Sequence, residues 1–223
     1  MEYYQVYFAM DKEGRGNYEM PHTVEITSSD FNEYIYTKNR NIIMYFENLS
    51  TLYKKMPDTL TGKILDRKDF VDFMDCSPAC PSLVAVVSRK VKNILEYMNV
   101  HKSEYILKEI IIDKVESDFF LLFVPLIRDT EFIYPMCRFV NLFDKSDIKL
   151  FEKREDYYKA PEEYVVKKIT LSNKYENFDL LYPQGICGVF FSERIINAFV
   201  KEKISGYDII RGGFFHNTID FLG

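Results

Sequence analysis

One local pattern occurs twice in this chain, and it constrains the fold more than any other feature. Leu83 to Val87 is an unbroken apolar run, Ser88 closes it, and Val91, Ile94, Leu95 and Met98 then fall at i, i+3, i+4 and i+7. A short apolar run bounded by turn residues reads as a buried strand, and the spacing after it puts four side chains on one helical face. The second copy is an apolar run from Ile186 to Phe191, closed by Ser192 and followed by Ile195, Ala198 and Phe199 on a helical face. Val87-Ser88-Arg89-Lys90-Val91 lines up with Phe191-Ser192-Glu193-Arg194-Ile195, and Asn93 lines up with Asn197. Ser88 and Ser192 each take the position of a helix N-cap, where a hydroxyl accepts from a free backbone N–H of the first turn. Two matching strand–Ser–helix–strand units suggest a duplicated construction, although convergence on so short a grammar gives the same pattern.

Around these units the chain reads mainly as strands. Residues 3–9 are aromatic and β-branched, and 105–113, 119–127, 132–143, 164–171 and 207–210 are further apolar or β-branched runs. Residues 11–22 hold two glycines and a proline among charges and read as a loop. Between 31 and 55 the pattern is mixed: Ile42, Ile43, Tyr45 and Phe46 suit a strand, while Leu49, Leu52 and Tyr53 have helical spacing. The expected fold class is α+β, a mixed or mostly antiparallel sheet with a few short helices. Pro78 and Pro81 break the chain after a carboxylate-rich stretch. They place the expected division at 1–80, an N-terminal portion, and 81–223, the α+β domain, in one compact unit.

At 223 residues the chain can bury a core without disulfide or metal staples. Its 29 Lys and Arg against 34 Asp and Glu leave a net charge of −5, which argues against general binding to a phosphate backbone. Between Lys145 and Glu176 eight basic residues nearly cancel seven acidic ones, the pattern of a solvated mixed face. The N-terminus lacks the basic and apolar regions of a signal peptide. The longest apolar run, Phe119 to Ile127, has nine residues with Pro125 inside, against the roughly 18 needed to span a bilayer. A soluble, cytoplasmic protein with neither nucleic acid nor membrane as partner is expected. Cys76, Cys80, Cys137 and Cys187 are expected as reduced thiols. The C-x3-C of Cys76 and Cys80 lacks the paired spacing of a zinc site, so neither metal nor cofactor is expected.

No G-x-G-x-x-G, P-loop, H-E-x-x-H or G-x-S-x-G signature is present. Ser88 and Ser192 lack the glycine flanks of an exposed nucleophile, which favours helix capping over catalysis. Asp66, Asp69, Asp72 and Asp75 form an acidic group and are the candidate partner-binding residues. The single Arg211-Gly212-Gly213 reads as a turn into a final strand.

The stretch Ser82-Leu83-Val84-Ala85-Val86-Val87-Ser88-Arg89-Lys90-Val91-Lys92-Asn93-Ile94-Leu95 resembles a conserved-pattern segment of the Imm11-like (DUF1629) immunity proteins of bacterial polymorphic toxin systems. Tyr105 to Ile112 is similar to that family's next strand, and Asp118-Phe119-Phe120-Leu121-Leu122 to its "YFLLN" stretch. Val189 to Ile195 and Ser205-Gly206-Tyr207 resemble its ending. The likeness covers about two-thirds of the chain. It departs at Tyr134-Pro135-Met136-Cys137-Arg138, where the family shows "VDCID", and over the first 60 or so residues. The resemblance implies a non-enzymatic protein that neutralises a cognate protein toxin inside the producing cell, with an acidic surface steering association and aromatic anchors adding affinity. An enzyme with an unrecognised active site, or a structural or regulatory interaction module, is the rival expectation.

Overall fold

The computed structural model describes residues 1–10, 21–33, 45, 48–65, 70–161 and 163–222. In chain order the first half holds β1 (Tyr3–Phe8), β2 (Thr23–Ile26), α1 (Ser29–Glu33), α2 (Leu49–Lys55), β3 (Leu60–Ile64), β4 (Phe73–Ser77), β5 (Leu83–Ser88), α3 (Arg89–Tyr97) and β6 (Ile106–Ile112). The second half holds β7 (Phe119–Phe123), β8 (Leu126–Ile127), β9 (Arg138–Asn141), β10 (Ile148–Lys149), α4 (Arg154–Tyr158), β11 (Tyr164–Leu171), β12 (Leu180–Pro183), β13 (Val189–Ser192), α5 (Glu193–Lys201), β14 (Tyr207–Ile209) and β15 (Thr218–Phe221). The fold class is α+β, with mixed sheets: a closed barrel in the order β2-β3-β6-β7-β5-β4, a five-stranded sheet β14-β1-β13-β12-β8 and a four-stranded sheet β10-β9-β11-β15.

The uninterrupted apolar runs follow from strands covered on both faces. In β7, Phe119, Leu121 and Phe123 fill the barrel, while Phe120 and Leu122 enter an outer core. β5 does the same, Val86 turning inward and Ala85 and Val87 outward, with a bulge between Leu83 and Ala85. The outer core is closed by the two helices through Val91, Ile94 and Leu95 of α3 and Ile195, Ile196 and Phe199 of α5. Burial of each large apolar side chain stabilises by about 1.5–3 kcal/mol, so these six anchor the helices to the sheets. Both helices end alike. Asn99 and Lys203 take left-handed φ values of 52° and 53°. The following N–H groups of Val100 and Ile204 then close onto the carbonyls of Leu95 and Phe199 at 3.0 and 2.9 Å. Lys203 closes α5, and Gly206 follows it ahead of β14.

The duplication extends beyond the strand–Ser–helix segment. β5 lies between β4 and β7, with β6 beyond β7; β13 lies between β12 and β1, with β14 beyond β1. Ser88 pairs with Phe119 and Ser192 with Tyr3 in matching antiparallel registers. The N-terminal strand thus supplies in the second unit what β7 supplies in the first. This pairing ties residues 3–8 to the C-terminal unit, and the expected division at residue 80 falls in the connection between the paired strands β4 and β5.

Other expectations are corrected by backbone chemistry. The run 119–127 splits into β7 and β8 at Pro125, and 132–143 is a strand only over Arg138–Asn141, because Pro135 sits in a 3-10 turn. Ile42, Ile43, Phe46 and most of the 11–22 loop lie outside the described residues. No helix among the described residues is long and apolar enough to cross a membrane.

Candidate functional site

Asp72 immediately precedes β4, and Asp179 immediately precedes β12. Because Phe73 pairs with Val87 and Leu180 with Phe191, each Asp is set beside the Ser that ends the neighbouring strand. Ser88 N–H donates to the Asp72 carbonyl at 2.9 Å, and Ser192 N–H to that of Asp179 at 2.8 Å. The side chains repeat the relationship: Ser88 Oγ donates to Asp72 Oδ1 at 2.7 Å and Ser192 Oγ to Asp179 Oδ1 at 2.6 Å. All four residues are buried. Ser88 and Ser192 do occupy the N-cap positions, but neither hydroxyl bonds the helix, which corrects the capping expectation. Each hydroxyl is instead turned toward the neighbouring strand, where it donates to the Asp carboxyl. A basic residue in the first turn of each helix completes the set. Lys90 Nζ stands 3.7 Å from Asp72 Oδ2, and Arg194 grips Asp179 through Nε at 2.6 Å and through Nη2.

The turn after each helix clasps the other unit. Ser205, after α5, donates its N–H and its hydroxyl to Asp72 Oδ2, each at 3.1 Å, and accepts from Phe73 N–H at 3.0 Å. Glu104, after α3, accepts from the N–H groups of Asp179 and Leu180 at 2.7 and 3.1 Å. Burial pushes the Glu104 carboxyl up to about 7, against the pull of those two amides and with the neighbouring Asp179 charge adding to the rise.

The two helices run antiparallel, since Arg194 in the first turn of α5 donates through Nη1 to the carbonyl of Met98 at the end of α3, at 2.8 Å. Between them lies a groove of about 590 Å³. Its lining is a set of matched positions, each pair 104 residues apart: Lys90 with Arg194, Asn93 with Asn197, Ile94 with Ala198, Tyr97 with Lys201 and Met98 with Glu202. Ile94, Met98 and Ala198 form an apolar floor that rests on the outer core. Tyr97 stands at the rim with 84% of its surface exposed. An apolar floor with amides and charges around it is the arrangement of a docking surface.

Of the acidic group expected to meet a partner, Asp72 and Asp75 lie among the described residues. Asp66 and Asp69 lie outside the described residues, and Asp72 is buried in the clasp. Asp75 is partly buried and accepts from Cys76 N–H at 2.7 Å. A separate cavity of about 280 Å³ brings Asp75 near Cys76, Cys80 and Tyr182. Burial raises the Cys76 thiol, pushes Cys80 up to about 12 and raises the Asp75 carboxyl. Protonated thiols are poor nucleophiles, so burial works against nucleophilic chemistry at Cys76 and Cys80. Among the described residues no three His, Cys, Asp or Glu side chains are grouped to hold a metal ion. Asp179, Glu104 and the groove are additions to the sequence-derived candidates. The available signal was an Asp before two apolar residues ahead of each Ser-closed strand, Asp72-Phe73-Met74 and Asp179-Leu180-Leu181.

No protein-family model matches this chain, and no curated protein matches it either.

Proposed function

We propose that the protein is a non-enzymatic binding module, an immunity protein that neutralises a cognate bacterial toxin by direct contact in the cytoplasm of the producing cell. The observation that carries this reading is the groove between α3 and α5, where two copies of one unit set matched residues around an apolar floor. Its rim cation Arg194 is held in place from below by Asp179, so little of that side chain's entropy is lost when a partner docks. The Imm11-like resemblance supplies the toxin as partner, and it rests on the same segments that form the two units. With Asp72 buried, the contact surface is assigned to the groove instead of the acidic group.

Co-expression tests the reading. The product of the neighbouring gene is induced alone and together with this protein, and growth is followed. Rescue of growth together with a stable complex is the expected outcome. A neighbouring product that is harmless, or toxicity that this protein leaves unchanged, overturns it.

A further inference from the structure

We infer that the cavity between β4 and the strands β1 and β12 binds a small organic ammonium ion, a primary amine with a short apolar body, through the Asp75 carboxylate and the aromatic rings beside it. The site shares no lining residue with the α3–α5 groove and does not depend on the toxin reading. Strand period places the carboxylate. In β4, Met74 and Cys76 fill the barrel, while Phe73 turns to the outer core, and Asp75, two residues on, shares that face. Its backbone is fixed by the N–H bond to the His22 carbonyl at 2.8 Å, and Oδ1 accepts from Cys76 N–H at 2.7 Å. Burial raises the Tyr7 hydroxyl, and the Cys187 thiol and the Asp75 charge add to that rise, which puts the carboxylate within electrostatic reach of β1. The cavity of about 280 Å³ lies between them.

The wall selects the charge of the ligand. Among the described residues that line the cavity, Asp75 alone carries a formal charge, and Tyr7, Phe8, Phe73 and Tyr182 bring four aromatic rings. Among the described residues no lysine or arginine pairs with Asp75 or lies over any of these rings, although cations cover other rings of this protein. Ring faces attract ammonium groups, and a carboxylate in the same cavity adds a charge-assisted hydrogen bond. Burial also raises the Asp75 carboxyl, so its charged form is held at a cost that an ammonium beside it offsets. An anionic ligand would meet this carboxylate with no cation to receive it, and a neutral one would leave it uncompensated. Size sets the rest. The cavity holds roughly nine water-sized groups at about 30 Å³ each, which suits an amine with one ring or a chain of similar length. Ala79 is exposed and Asp75 and Tyr182 are partly exposed, so the cavity is reached from solvent on that side.

The test is an NMR titration of the isotope-labelled full chain with 2-phenylethylamine, beside its near-isosteres 2-phenylethanol and phenylacetate. The amine is expected to shift amides within residues 6–8, 73–80 and 182–189, with the alcohol binding at least about ten-fold more weakly and phenylacetate not binding. Asp75→Asn keeps an acceptor for the Cys76 N–H and should lose the preference for the amine while alcohol binding stays as it was. A merely structural Asp75 would weaken both ligands alike. Ala79→Phe, at the exposed rim, should abolish binding of both without lowering the melting temperature. Equal binding of amine and alcohol to the parent protein, a preference that survives in Asp75→Asn, undiminished binding to a folded Ala79→Phe protein, or no shifts at these residues up to about 10 mM amine, near the weakest affinity expected of a ligand this small, overturns the inference. The parent comparison of the three ligands decides the matter even where a variant fails to fold.

Discussion

The Ser192 hydroxyl donates to the Asp179 carboxylate at 2.6 Å, with both residues at or below 1% exposure. The same bond joins Ser88 to Asp72. A hydrogen bond to a charged group contributes about 1.5–3 kcal/mol, and a buried polar group left unpaired is costly. Ser192→Ala and Asp179→Asn should therefore each lower the denaturant midpoint, and together they should show a coupling energy of about 1 kcal/mol or more in a double-mutant cycle. Additive effects would return the hydroxyl to a helix-capping role.

Glu104 sets a pH dependence. Its folded carboxyl sits near 7, above the ordinary 4.5, so the folded state holds the proton more tightly than the unfolded chain. The associated stability is fully present below about 4.5 and is lost as pH rises through about 7. Denaturation at a series of pH values should show stability falling across that window, and Glu104→Gln should remove this part of the slope. An unchanged slope in the variant contradicts the assignment.

Gly206 is fixed by its surroundings. Its φ is +90°, and a Cβ there would lie 2.3 Å from the Phe73 carbonyl oxygen and 2.4 Å from Val71 Cγ2. The backbone strain alone is on the order of 1–3 kcal/mol, and the clash with main chain adds to it. Gly206→Ala should lower the melting temperature by many degrees, whereas Gly212→Ala, which meets nothing within 4 Å, should leave it nearly unchanged. Equal effects contradict the packing described here.

The thiols give a chemical check. Burial raises Cys76, Cys137 and Cys187 and pushes Cys80 up to about 12. Reaction with a disulfide reagent near neutral pH should be slow in the native protein and fast for all four thiols in denaturant. A rapid burst from the native protein would reveal an activated thiol.

Much of the fold was legible because period carries directly into packing. The helical face of Val91, Ile94 and Leu95 and the two-sided burial of Phe119 to Phe123 follow from spacing alone. β3 and β4 escaped notice because residues such as Thr61, Lys63 and Asp75 interrupt short runs, and strand pairing with distant neighbours overrides local composition. The Ser hydroxyls were misassigned for a similar reason. Asp179 reaches Ser192 through the ladder between β12 and β13, a non-local acceptor that a scan along the chain does not weigh. The equivalence of Lys90 and Arg194 was visible in the alignment of the two copies. Their arrangement around one groove was not, because it rests on contacts between residues about 100 positions apart, such as Arg194 with the Met98 carbonyl.

The central claim is that this protein neutralises its partner through the groove between the two helices. Its most direct test is growth rescue by Ala198→Arg beside Phe143→Ser, a control at an exposed side chain in the β9–β10 connection. The account predicts that both variants fold with melting temperatures near that of the parent, that Phe143→Ser rescues fully and that Ala198→Arg does not. Full rescue by a folded Ala198→Arg protein contradicts it.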